Sequence, residues 1–461
     1  MNRLFYGDNL QVLREHVATE SVDLIYLDPP FNSNRSYNVL FKTKRGDDAQ
    51  AQIEAFDDTW TWDQHSENAY DELVRGGAPT KVADAIEAMR RLLGENDMLA
   101  YLVMMTERLV ELHRVLKSTG SLYLHCDPTA SHYLKVMLDS IFGPQNFLNE
   151  VVWLYGLGGS SHRYWPKKHD VLLWYSRTPD GQVFEADMIP ATSNRMKGEL
   201  KKAPDYWDIP AINNMAKERL GYPTQKPLAL LERIVRSSSP PGGLVLDPFC
   251  GCGTTIDAAQ KLGRAWIGID ISTLAVDLIR TRLQDTYGSG IASSYELVGL
   301  PKDIDGAREL FSTNAFDFER WAVGLVDAQA NEKQVGDKGI DGVIRFPLDT
   351  KAVGRAVVSV KGGATLNPAM VRDLRGTIET QKAELGIFIC LTEPTRGMIE
   401  EANKSGSYVH GLTGTSYPRL QLITVKELLD GKRPAMPSHF LPYVQAKRLV
   451  ADNQISLFDS N

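Results

Sequence analysis

Asp28-Pro29-Pro30-Phe31 directly follows the apolar run Val22 to Leu27, VDLIYL. Ligands of open α/β sheets bind outside the carboxyl ends of the strands, so this tetrapeptide stands where chemistry is expected. Two successive prolines fix the backbone and remove two N–H donors, leaving carbonyls free to accept. An exocyclic amine needs such acceptors. The Asp28 carboxylate and the Pro29 carbonyl can take its two N–H hydrogens and aim the nitrogen lone pair at a methyl donor. Phe31 offers a face on which a base withdrawn from a duplex can stack. Taken alone, the tetrapeptide reads equally well as a rigid turn at a strand end.

A second motif decides between these readings. Val245 to Thr255, VLDPFCGCGTT, has the layout of a strand, a glycine-bearing turn and a helix start. Glycine permits positive φ and close backbone approach, and a helix N-terminus can hold the carboxylate of a methionine moiety. Gly268-Ile269-Asp270 ends the next strand with an acid suited to ribose hydroxyls, as in nucleotide-binding βαβ units. Cys250 and Cys252 stand in C-x-C spacing with no second pair or histidine cluster after them, so no metal site is expected there.

The elements that position these residues read as α/β, a doubly wound Rossmann-like sheet. Short apolar runs predict strands at Val22 to Leu27, Ser121 to His125, Val171 to Tyr175, Leu244 to Leu246 and Ala265 to Ile269. Their almost wholly apolar character is that of parallel strands buried on both faces. Helical patterns lie between them, notably Met98 to Leu116 and Leu228 to Ser237. Gly, Ser and Pro collect between Thr286 and Ile304, which predicts a linker over 286–304. A smaller α/β domain follows over 305–441, and 442–461 reads as a flexible tail.

At 461 residues the chain exceeds the size at which a single core keeps growing, so two or more domains are expected. With 43% hydrophobic and 24% charged residues it has the composition of a globular protein, and its net charge of −7 excludes a uniformly basic surface while leaving room for a local basic groove. No signal layout opens the chain and no apolar run is long enough to span a bilayer, so no membrane partner is expected. Four cysteines do not make a disulfide framework and point to a reducing cytoplasm.

The motifs, in this order, resemble the amino-group DNA methyltransferases of the β arrangement, in which DPPF precedes the glycine-rich cofactor turn. The resemblance covers most of residues 1–285. It includes Gly7-Asp8-Asn9-Leu10, DPPF, Gly120 to Asp127 (GSLYLHCD), Ile141-Phe142-Gly143, Asn149 to Trp153, Lys168-His169-Asp170, Thr224-Gln225-Lys226-Pro227 and the DPFCGCGTT turn. It implies that Asp28, Pro29, Pro30 and Phe31 hold a flipped base of double-stranded DNA. It further implies that Asp247, Phe249, Gly251, Gly253, Thr254 and Asp270 bind S-adenosylmethionine, with Asp8 and Lys226 framing it. Transfer would be direct and in line, without a cysteine nucleophile. The leading Asp favours N6 of adenine over N4 of cytosine. A cytoplasmic, nucleoid-associated location goes with that substrate, and a homodimer is a further expectation.

Target recognition is expected over about 177–222, where Arg195, Lys197, Lys201, Lys202, Tyr206, Trp207, Lys217 and Arg219 mix cations with aromatics. His162, Arg163, Lys167 and Lys168 form a second basic stretch. Either can equally be a solvated surface loop.

After the linker, Phe318-Glu319-Arg320-Trp321, Gly336 to Val343 (GDKGIDGV), Ala356 to Lys361 (AVVSVK) and the strand at Gly386 to Ile389 resemble the Mrr-like domain of restriction endonucleases. That resemblance implies Glu319, Asp341 and Lys361 as nuclease residues, with Mg²⁺ on Asp341. Ser359 departs from the pattern, which places Glu or Gln there, so the alternatives are a nuclease, making the chain a single-chain restriction and modification enzyme, or a DNA-binding or structural relic. Gln454, Leu457 and Phe458, within QISLF, resemble the short peptide with which bacterial proteins dock on the replication sliding clamp; a terminal pair packing on its own domain is the other reading.

Overall fold

The computed structural model describes residues 1–30, 36–42, 48–57, 61–156, 162–191, 198–213, 216, 218–220, 222, 224–330, 339–348 and 352–438. The chain divides into two compact units, one made chiefly of Met1–Ala49 and Glu54–Val298 and the other chiefly of residues from Gly299 onward, together with Gln50–Ile53.

The central sheet of the first unit has, among the described residues, nine strands: β1 (Asn2–Tyr6), β2 (Val22–Leu27), β3 (Leu116–Cys126), β4 (Phe147–Leu154), β5 (His169–Ser176), β6 (Tyr206–Asp208), β7 (Leu244–Asp247), β8 (Ala265–Asp270) and β9 (Tyr295–Val298). They form one sheet in the order β6-β4-β5-β3-β2-β7-β8-β1-β9. Every residue of β2 is buried, as a central strand covered on both faces requires, and Asp23, the one charged residue in the run, is paired with Lys117 at 2.8 Å. Helix Asp97–Val115, opened by Asn96 accepting from the Leu99 N–H at 3.0 Å, and helix Ser131–Phe142 pack on one face with Val22, Ile25, Leu27, Leu122, Leu124 and Leu246. On the other face Tyr123 meets Ser238 of helix Leu228–Ser238, hydroxyl to hydroxyl at 2.8 Å.

Two features differ from the sequence reading. β5 runs antiparallel to both neighbours, β3 and β4. Apolar content reports burial on two faces and carries no information on direction, so a hairpin strand buried in a mixed sheet reads like a parallel one. Tyr295–Val298, inside the segment read as a linker, is the edge strand β9, parallel to β1. Gly and Ser around it mark the turns that deliver the strand.

The second unit has a five-stranded sheet, β10 (Gln329–Ala330), β11 (Gly342–Pro347), β12 (Val353–Lys361), β13 (Leu385–Cys390) and β14 (Leu420–Thr424), in that order. β11 and β12 form an antiparallel hairpin; β13 and β14 continue parallel to β12. Its core gathers Phe318, Trp321, Ile344, Phe346, Val358, Val360, Ile387 and Ile389.

Candidate functional site

The carboxyl ends of β1, β2, β7 and β8 bring Asp8, Asp28, Asp247 and Asp270 to one edge of the sheet. Asp28 ends β2. Its Oδ2 is paired with the Lys226 ammonium, and both side chains are mostly buried. Its Oδ1 is buried with no hydrogen-bond partner among the described residues. A buried carboxylate oxygen left unpaired is costly unless something else supplies a donor. Pro29 is buried beside it and Pro30 half-buried; Phe31 lies outside the described residues.

The glycine turn follows β7. Asp247, 3% exposed, accepts from the Phe249 N–H at 3.1 Å, and burial, reinforced by the charges of Asp28 and Asp270, pushes its carboxyl up to about 7. Gly253 sits at φ +75°, and a Cβ there would lie 2.6 Å from Ile279 Cγ1, so only glycine fits. Gly251 sits at φ +48° with the Tyr222 ring 3.2 Å from where its Cβ would be. Thr254 then opens helix Thr254–Lys261. Asp270 ends β8 and accepts from the Gly251 N–H at 2.8 Å and the Ser272 N–H at 2.9 Å, while burial pushes its carboxyl up to about 6. Cys250 and Cys252 are buried and burial raises both thiols, so neither is a ready nucleophile.

Asp8, expected to help frame the cofactor, lies at the start of helix Asn9–His16. Its Oδ1 caps helix Asn9–His16 through the Leu10 and Gln11 N–H groups, and its Oδ2 takes an Arg108 N–H at 2.8 Å. Arg108 also donates to Asn9 Oδ1 at 2.6 Å, and Asn9 Nδ2 donates to the Pro248 carbonyl at 2.8 Å. Asp8 thus steadies the glycine turn through Arg108 and Asn9. Lys226, also expected to frame the cofactor, pairs with Asp28, and its charge is felt at Cys252 of the glycine turn.

Three site features escape sequence reading. Arg282, 6% exposed, donates to Asp257 at 2.9 Å and to Thr254 Oγ1 at 3.1 Å beneath the glycine turn. Arg108 is the second. The third is a buried chain in which Tyr26 Oη lies 2.9 Å from His125 Nδ1 and His125 Nε2 lies 3.2 Å from Asp170 Oδ2. With Asp170 accepting from Nε2–H, Tyr26 donates to Nδ1. The one available signal was a polar residue at the carboxyl end of an otherwise apolar strand.

Of the residues expected in target recognition, Trp207 is packed, its indole N–H donating to the Pro204 carbonyl at 2.9 Å beneath Arg233. Tyr206 is 56% exposed and Lys202 is exposed, while Lys201 and Arg219 are half-buried. Arg195, Lys197 and Lys217 lie outside the described residues. His162, Arg163 and Lys167 are exposed and Lys168 half-buried.

In the second unit, Asp341 Oδ2 accepts from the Val360 N–H at 2.6 Å and from the Ser359 hydroxyl at 3.3 Å, with the Lys361 ammonium at 3.7 Å. Glu319 is half-buried on helix Ala315–Gly324. Asp341, Ser359 and Lys361 come together as the resemblance implied, yet among the described residues no group of three His, Cys, Asp or Glu could hold a metal ion. At Asp341, Ser359 stands where the nuclease pattern has Glu or Gln, and its hydroxyl and the Val360 amide both donate to Asp341 Oδ2. Gln454, Leu457 and Phe458 lie outside the described residues. No helix among the described residues is long and apolar enough to cross a membrane.

Residues 316–430 match a family described as NACHT-associated inactive Restriction Endonuclease 1. Over the first unit the chain is 35% identical across 156 residues to the type II methyltransferase M.ScaI of Streptomyces caespitosus, covering 31% of this chain and 51% of that protein. It thus spans about half the length of M.ScaI. It is 26% identical across 315 residues to the DNA adenine methyltransferase YhdJ of Escherichia coli K12, covering 65% of this chain and 86% of YhdJ. The structure of the PvuII DNA methyltransferase, cytosine-N4-specific, aligns with 15% identity and a TM-score of 0.40 over 64% of this chain and 95% of that one. Residues 22–281, more than half the chain, match the N6/N4 methyltransferase family, described as DNA methylase. The chain therefore belongs to the N6/N4 DNA methylase family.

Proposed function

We propose that the chain transfers a methyl group from S-adenosylmethionine to the exocyclic N6 of a flipped adenine at specific sites in double-stranded DNA. The observation that carries this reading is Asp28 Oδ1, a buried acceptor without a donor at the end of β2. Oδ1 and the Pro29 carbonyl accept the two N–H hydrogens of the amine, which turns the nitrogen lone pair away from both. Oδ1 then takes the proton that the amine sheds once nitrogen has bonded to carbon. The leading Asp of DPPF and the similarity to the DNA adenine methyltransferase YhdJ support adenine; N4 of cytosine is the alternative amine.

The residues fit the cofactor. Gly251 and Gly253, both at positive φ and packed against Tyr222 and Ile279, give the tight turn that brings backbone to the carboxyl end of β7, and Asp270 stands at the strand end suited to ribose hydroxyls. Bound there, S-adenosylmethionine supplies an electrophilic sulfonium methyl group. Asp270 makes its binding pH-dependent. Its carboxyl, raised to about 6, stays protonated below that pH and becomes a full acceptor only above it. Affinity for the cofactor should hold above pH 6 and fall toward about tenfold per unit below it, as calorimetry between pH 5 and 8 would read. An Asp270→Asn variant that kept the same dependence would rule the residue out as its source.

Lys226 fixes Asp28 by occupying Oδ2 and leaving Oδ1 for the amine. Lys226→Met should lower kcat by about 10- to 100-fold with cofactor affinity within threefold, because misplacing a positioned group by an ångström costs on that order. A loss confined to cofactor affinity would return Lys226 to the framing role.

Methyl transfer to DNA is tested by offering tritiated S-adenosylmethionine to the full chain with DNA, RNA and protein fractions. Label in the DNA fraction supports the reading, and label in RNA or protein alone overturns it. For the second unit, the Asp341 contacts and the match to an inactive endonuclease family favour DNA binding or support without cleavage. Supercoiled plasmid with Mg²⁺ should stay un-nicked, methylated or not. Nicking that is lost in Lys361→Ala would restore Glu319, Asp341 and Lys361 as a nuclease site. The cytoplasmic location, the homodimer and clamp docking through Gln454, Leu457 and Phe458 belong to this reading of a DNA-acting enzyme.

A further inference from the structure

β4 and β5 form an antiparallel pair, and of the residues between them 155–156 and 162–168 are described, the latter forming a loop that leads into β5. The base of the loop is closed by the Tyr155 N–H donating to the Lys168 carbonyl at 3.2 Å and by Leu154 facing His169 across the pair. β5 begins against the carboxyl end of β3, with Val171 opposite Cys126 and Leu172 opposite His125. β3 runs parallel to β2, so the loop leaves the sheet at the edge where Asp28 stands. His125 joins the two through its contacts with Asp170 and Tyr26.

Tyr164 is 67% exposed and Trp165 is 92% exposed, the most exposed of the large hydrophobic side chains among the described residues. An indole left in water runs against the ordinary distribution of tryptophan, which is highly buried on average. Arg163, Lys167 and Lys168 flank the two rings, and no acidic residue occurs anywhere from Tyr155 to His169. In a chain of net charge −7, such a run selects a polyanion. Pro166 fixes the backbone directly after the indole and limits how far the ring can fold back. Aromatic rings interleaved with cations answer the two components of a nucleic acid, base faces and phosphates.

We infer that Trp165 is a wedge that stacks on bases of the DNA duplex beside the target, with Arg163 and Lys167 on the flanking phosphates. This rests on the proposed action on DNA and adds the surface that grips the opened duplex. Withdrawing one base leaves its neighbours unstacked, and an aromatic face next to the catalytic edge replaces part of the lost stacking.

The test is anisotropy of a labelled mixed-sequence duplex titrated with the full chain over a range of salt, for wild type, Trp165→Ala, Trp165→Phe and the pair Arg163→Gln, Lys167→Gln. Trp165→Ala should weaken binding about 5- to 150-fold, the span expected for losing one base–aromatic stack. Its log-log salt slope should match that of the wild type, and Trp165→Phe should retain most of the affinity. The Arg163, Lys167 pair should reduce the slope by about 1 to 2, as lost phosphate contacts do. Trp165→Ala binding within twofold of wild type overturns the inference. So does a lowered melting temperature in that variant, which would make the ring a packing residue, or the loss of a dimer with DNA affinity unchanged, which would make it a protein contact. Binding is read without methyl transfer. A chain that grips DNA through Trp165 and never methylates it would overturn the catalytic reading alone.

Discussion

Asp28→Ala is expected to lower methyl transfer by about 10²- to 10³-fold, the loss typical of removing one preorganised group that meets the charge developing in a transition state. Two effects combine. The amine loses the Oδ1 acceptor that orients its lone pair, and the buried Lys226 ammonium loses its carboxylate. Asp28→Asn separates them, because the amide keeps the shape and one acceptor oxygen while removing the charge. Steady-state rates on unmethylated DNA, with cofactor affinity measured beside them, should therefore rank wild type above Asp28→Asn above Asp28→Ala at near-constant cofactor affinity. Equal rates for all three would place the chemistry elsewhere.

The second large effect is on stability. Arg282 and Asp257 are paired at 2.9 Å with 6% and 7% of their side chains exposed, and Tyr287 adds a hydrogen bond to Asp257 at 2.7 Å. Removing one partner of a buried ion pair leaves an uncompensated charge and costs about 3–5 kcal/mol. Arg282→Ala should destabilise the first unit on that scale in chemical or thermal unfolding. Because Arg282 also holds Thr254 Oγ1, cofactor affinity should fall with it. Replacing both members, Arg282→Met with Asp257→Leu, should recover much of the stability and little of the affinity. A single variant that melts with the wild type would show that the pair contributes no net stability.

The elements that carry the site were legible because their signals are local. VDLIYL ends in DPPF and VLD ends in PFCGCG; each is a strand whose apolar run stops where polar chemistry begins, and the structure has strands at Val22–Leu27 and Leu244–Asp247. Helix Asp97–Val115 likewise lies within one residue of the pattern read over Met98 to Leu116. What stayed hidden depends on pairing. Lys226 reaches Asp28 across 198 residues, Arg108 reaches Asp8 across 100 and His125 reaches Tyr26 across 99. No periodicity in one sequence encodes such partners. The direction of β5 was hidden because burial is symmetric about it, and β9 because four residues between Gly-rich turns make too short a run to stand out. At the second unit, Ser359 marked a departure from the nuclease pattern, and the structure shows its hydroxyl donating to Asp341 Oδ2 beside the Val360 amide.

The measurement that bears most directly on the central claim is nucleoside mass spectrometry of unmethylated genomic DNA incubated with S-adenosylmethionine and either the intact chain or Asp28→Ala. N6-methyladenine is expected with the intact chain and only a trace with the variant. N4-methylcytosine would move the same chemistry to the other amine. No methylated base from a chain that binds the cofactor, or equal product from both proteins, would contradict the account.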